Sequence, residues 1–146
     1  MNLINLSLHL NGYAIAAAQK QLQELGQQVE HNYIAYAEAR KTEILKYHLK
    51  NTPFYRTLVG DRSQTWEDLP VITKQDLQQT LKSRLSKGFS PNNVHVHKTS
   101  GSSGTPFIFA KDKFCHALTW ASITQLYSTS GIDLQNSYEA RFYGIP

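Results

Sequence analysis

The sequence predicts a mixed α/β fold, with a helical first half and, in the second, the opening strands of a sheet left incomplete. Three observations carry that expectation. Helix-forming residues dominate 13–28 and 31–50, the apolar period shortens to two at Val94–Lys98, and a glycine-rich, hydroxyl-rich run follows at once.

The elements follow in order. Tyr13 to Gln28 and His31 to Lys50 are expected as two helices separated at Gly26. In the second, Ile34, Ala37, Ile44, Leu45 and His48 fall near one face, leaving Glu38, Lys41, Glu43 and Lys46 to solvent. Pro53 should end that helix, because proline lacks the amide that a helix interior requires. Phe54, Tyr55, Leu58 and Val59 then form an apolar patch before a turn at Gly60-Asp61. Thr73 and Asp76 have the spacing of a capping box, which predicts a helix from about Lys74 to Leu85 that stops near Gly88.

Val94 to Lys98 alternates apolar and polar residues and reads as a strand, with Phe107 to Ala110 returning beside it as a hairpin. Asp112 should cap a helix through about Ser130, ended by Gly131, with Phe114, Leu118, Ile123, Leu126 and Tyr127 buried. Ser137 to Tyr143 is expected to begin another strand. The organisation is thus 1–90, mostly helical, and 91–146, the start of a nucleotide-binding α/β region, within one incomplete domain.

The hairpin tip carries the chemistry. Thr99, Ser100, Gly101, Ser102, Ser103, Gly104 and Thr105 place five hydroxyls and two glycines in seven residues, followed by Pro106. Glycine lets main-chain N–H groups converge on an anion, and the hydroxyls add neutral donors, so the composition suits a phosphate. It is not the P-loop of kinases and GTPases, which needs a Lys after its last Gly, where Thr105-Pro106-Phe107 stands here. Lys98, Lys111 and Lys113 bracket the loop in sequence and favour a polyanion such as ATP.

With its flanks, HVHKTSGSSGTPFIFAKDKF (His95 to Phe114) resembles the nucleotide loop of adenylate-forming enzymes, in the branch of phenylacetate–CoA ligase and the CapK proteins. NTPFYR (Asn51 to Arg56) and LPVITKQDL (Leu69 to Leu77) stand upstream in the order in which that branch begins, and the likeness covers roughly Tyr33 to Pro146. The resemblance implies that the sheet is the start of that family's large domain and that the chain is an N-terminal fragment of an ATP-dependent, AMP-forming carboxylate-activating enzyme. Residues 99–105 would then hold the ATP phosphates, with Mg²⁺ balancing the charge of departing pyrophosphate. Many of these enzymes end the motif with a Lys directly after the Pro, and phenylacetate–CoA ligases place one just before it; Phe107 and Thr105 stand there instead. That neutral ending is closer to the CapK-like branch, weighs against CoA as acceptor and leaves transfer to another group equally open. The parts that such enzymes use for adenine, ribose, Mg²⁺ and thioester chemistry are not located in these residues, so the chain alone is expected to show no turnover. The alternative is a truncated, non-catalytic remnant acting through association with another chain.

Composition sets outer bounds. With 40% apolar and 18% charged residues, the chain reads as globular rather than disordered. The net charge of +4 is spread out, with basic residues among Glu and Gln, which argues against a nucleic-acid interface. The longest apolar run, Ala14 to Ala18, is far too short to span a bilayer. The first residues lack a basic segment and are broken by His9, Asn11 and Gly12, so no export signal is read, and the single Cys115 forms no disulfide framework. A cytoplasmic protein is the expectation. His95 and His97 share a strand face without a third ligand, Cys115 and His116 read as helix residues, and Trp66 and Trp120 as packing residues. Unpaired strand edges predict self-association of the fragment.

Overall fold

A computed structural model describes residues 3–60, 65–99, 101, 104–134 and 138. The element order is α1 (Leu3–Leu10), α2 (Ile15–Asn51), α3 (Pro53–Val59), α4 (Leu81–Arg84), β1 (Val94–Lys98), β2 (Ile108–Asp112) and α5 (Lys113–Thr129). The protein is mixed α/β, mostly helical, with β1 and β2 paired in one two-stranded sheet. Two compact units can be distinguished, one of residues 1–26 with 111–146 and the other of residues 27–110.

In the first unit, α1 is an element that the pattern of apolar residues did not predict. It ends in a Schellman turn: Tyr13 N–H reaches Leu8 O and Gly12 N–H reaches His9 O, both at 2.9 Å, with Gly12 at φ +77°. α5 closes the same way, through Ile132 N–H to Tyr127 O, Gly131 N–H to Ser128 O and a left-handed Gly131. At its start Asp112 Oδ1 accepts the Cys115 amide at 2.7 Å, as its position before the helix predicts. The core is thin: Ile15, Ala18, Ala117 and Ala121 are buried, with Leu8, Tyr13, Leu22, Phe114, Leu118 and Trp120 packed around them. Small alanines at the centre bring backbones together while larger residues cover the sides, so Phe114 and Leu118 are half-buried. Leu126, expected inside, is 66% exposed.

The break in α2 falls at Asn32, not at Gly26. Asn32 leaves the helix at φ −161°, ψ 79°, and its Oδ1 accepts the Ala35 amide at 3.1 Å. The side chain thus offers the backbone a substitute hydrogen bond and recaps the next helical segment, whereas Gly26 has no such group and stays helical. Beyond the break only part of the expected stripe is covered. Leu45 is buried at 5% exposure, but Ile34 and Ile44 face solvent.

Pro53 begins a helix as well as ending one. It occupies the first turn of α3, where a missing amide costs nothing, and Gly60 at φ +72° stops that helix. The capping box at Thr73 forms, with Thr73 N–H and Oγ1 both donating to Asp76 Oδ2, yet no helix runs from 74 to 85. Thr80 recaps the chain through the Ser83 amide and only Leu81–Arg84 is helical. A twelve-residue helix is marginal by itself, and here Arg84 is held by the carbonyls of Gln79 and Ile108. The expected strand at Ser137–Tyr143 lies, Tyr138 apart, outside the described residues.

Candidate functional site

β1 and β2 deliver the glycine-rich loop. Alternation in Val94–Lys98 sets one strand and the Phe107–Ala110 run the other, and the pair is closed beneath the loop by Thr99. Thr99 N–H donates to Phe107 O at 2.9 Å, and Phe107 N–H donates to Thr99 Oγ1 at 3.0 Å. Above that closure Gly104 N–H donates to Gly101 O at 2.8 Å, a four-residue turn. Gly101 sits at φ +76°, where a Cβ would meet Gly104 O at 2.8 Å and Pro106 Cγ at 2.9 Å, and Gly104 sits at φ +109°. Both glycines are therefore demanded by the turn.

Thr99, Gly101, Gly104 and Thr105 stand together on the hairpin tip, with Thr105 exposed. Ser100, Ser102 and Ser103 lie outside the described residues. The amides of Thr99 and Gly104 are committed to the hairpin itself, so they build the cradle rather than line it. Donors that face an anion would come from the hydroxyls and from the remaining amides. The run from Thr99 to Thr105 is neutral and carries no acid or base. Among the described residues no cluster of three or more His, Cys, Asp or Glu could hold a metal.

The lysines predicted to bracket the loop divide. Lys98 is exposed on β1, but Lys111 Nζ donates to Thr119 Oγ1 at 3.3 Å, and Lys113 Nζ donates to Asn11 O at 3.1 Å and stands over the Tyr13 ring. Arg84, which sequence reasoning missed, brings the positive charge instead. Its guanidinium lies 5.3 Å from the centroid of the Phe107 ring and donates to Ile108 O. No local signal marks this residue, because Phe107 and Ile108 lie more than twenty positions further along the chain.

The remaining residues singled out in the sequence have these surroundings. His95 and His97 stack at 6.4 Å, and the His97 ring meets Phe109 edge-on at 5.6 Å. His116 Nε2 accepts the Trp120 indole N–H at 3.2 Å and its ring lies against Tyr13, while Cys115 is exposed. Trp66 is 45% exposed. No helix among the described residues is long and apolar enough to cross a membrane. The chain matches no protein-family model, no curated protein and no solved structure.

Proposed function

We propose that residues 99–105 hold the β- and γ-phosphates of ATP in an AMP-forming, carboxylate-activating enzyme of the phenylacetate–CoA ligase and CapK-like branch, of which these residues are an N-terminal part. The observation that supports it best is the turn at Gly101–Gly104, where two left-handed glycines hold a hydroxyl-rich tip at the end of a closed hairpin. When bound, ATP supplies the electrophilic α-phosphate and a pyrophosphate leaving group. The work of this chain is to donate hydrogen bonds to phosphate oxygens from Thr105 and its neighbours, and to hold that tip at a fixed place on the hairpin. Neutral donors stabilise charge that grows on the leaving group without trapping the product.

Titration of the ¹⁵N-labelled protein with Mg·ATP tests the proposal. The amides of Gly101, Gly104 and Thr105 should shift saturably, pyrophosphate should compete and adenosine should not. Replacing Thr105 by Val removes one hydroxyl donor to a charged group, worth about 1.5–3 kcal/mol, and should weaken binding about tenfold or more. Loop amides that stay still at millimolar ATP would overturn the assignment. Carboxylate-dependent ATP–pyrophosphate exchange is expected to be silent in the 146-residue chain, and exchange there would show that the chemistry needs no further segment.

A further inference from the structure

The β1–β2 hairpin carries a continuous strip of rings. His95 and His97 are alternate residues of β1, and Phe107 and Phe109 are alternate residues of the returning chain, so each pair shares a side of the sheet. The two imidazoles lie nearly parallel with centres 6.4 Å apart, and the two phenyl rings do the same at 5.8 Å. His97 meets Phe109 edge-on at 5.6 Å and so joins the two rows, while the Arg84 guanidinium extends the strip over Phe107. His97 is exposed and the other three rings are half-buried, which leaves π surface open to solvent. Branched aliphatic residues would pair the strands as well. What the rings add is stacking surface.

The positive charge lies in the same unit. Along the chain the basic residues are dispersed, but residues 27–110 hold eleven Lys or Arg against seven Asp or Glu, so the whole net charge of +4 falls in this unit. From residue 77 to residue 110 there are four Lys or Arg and no acid, and Lys98 among them stands exposed next to His97. Rings beside cations, with no acid among them, suit a single strand of nucleic acid, whose bases stack while its phosphates meet the lysines. A protein partner would have to strip water from two imidazoles and a lysine. A duplex keeps the faces of its bases in its own stack and offers the rings nothing.

We propose that the ring-bearing face of this hairpin binds a short single-stranded nucleic acid, with unstacked bases on His95, His97, Phe107 and Phe109 and phosphates on Lys98 and the basic residues around it. Stacking reads neither the 2′-hydroxyl nor the base edges, so RNA and DNA strands bind alike. The face lies below the turn at Gly101–Gly104 and works without ATP.

Fluorescence anisotropy of labelled oligothymidylate and oligouridylate, titrated with the ATP-free protein, tests the proposal. Both strands should bind saturably below about 100 µM protein, the weak end of sequence-independent binding, and about tenfold more tightly than a duplex of the same length. His97→Ala should weaken binding about tenfold, and His97→Phe, which keeps a ring, should restore it. Lys98→Gln should lower the slope of log affinity against log salt by about 0.7. Exchange protection of the Thr99 amide, which reports the closed hairpin, should survive in each variant. Should His97→Ala open the hairpin, the salt slope of Lys98→Gln carries the test. No binding at that protein concentration, equal affinity for duplex or for inorganic polyphosphate, or undiminished binding by a folded His97→Ala would each overturn the proposal. So would displacement by pyrophosphate at matched ionic strength, which would put the strand on the glycine turn.

Discussion

Gly101 carries the most specific demand that any one residue makes on this chain. Its backbone lies at φ +76° and a Cβ would press within 3.0 Å of Gly104 O, Pro106 Cγ and Pro106 N, none of which is the free end of a flexible side chain. Gly101→Ala should therefore cost about 1–3 kcal/mol of local stability through strain at a left-handed position. The loop would refold before the whole protein melted. The check is the loss of the Gly104 amide's protection from exchange, with that of Thr99 retained, because the Thr99–Phe107 pair does not need the turn. Thr105 makes no such demand, which is why its substitution reports on ligand binding and Gly101's reports on the cradle.

At the scale of elements, α2 shows how one side chain outweighs a helix-breaking composition. Gly26 lies inside the helix with nothing within 4 Å of a Cβ added to it, so Gly26→Ala should stabilise the protein by about 0.5–1 kcal/mol, the ordinary helix-interior difference. Asn32→Ala should act in the opposite sense, by about 1 kcal/mol, since it removes the acceptor of the Ala35 amide. Urea midpoints of the two variants decide it, and a destabilised Gly26→Ala would mean that the break belongs there after all. The half-formed helix at Thr73–Arg84 follows the same logic. Thr73 and Thr80 each supply a cap, and the segment between them satisfies its backbone locally instead of continuing.

For the molecule as a whole, the two units carry separate reporters, Trp120 in one and Trp66 in the other. His48, with Tyr47, Tyr55 and Arg84 around it, is held below its ordinary value by burial. As the pH falls, the unfolded chain therefore takes up this proton first. The stability that neutral His48 allows is complete above its unfolded pKa of about 6.5 and is lost as the pH falls through its lower folded value. Melting read at Trp66 should shift down as the pH falls below about 6.5, and His48→Gln, which keeps a partner for Thr52, should flatten that slope. An equal slope in both proteins would place the titrating group elsewhere, among the other five histidines.

What the sequence determined by itself is what neighbouring residues decide between themselves. The Asp112 cap, the Gly131 stop, the proline at the junction of α2 and α3 and the hairpin around the glycine-rich tip rest on hydrogen bonds and steric limits spanning three to eight positions, and each is legible from spacing. α1 was not read from the sequence, its eight residues being too few for the apolar pattern to show. Only the tertiary structure decided which side of α2 is covered, that Leu126 faces solvent, and that Lys111 and Lys113 bond to Thr119 and to the Asn11 carbonyl. It alone joined Arg84 to Phe107 and to a cavity walled by Leu45 and Trp66. The reason is physical: burial and desolvation depend on atoms brought from distant parts of the chain, and no local preference records where those atoms will be.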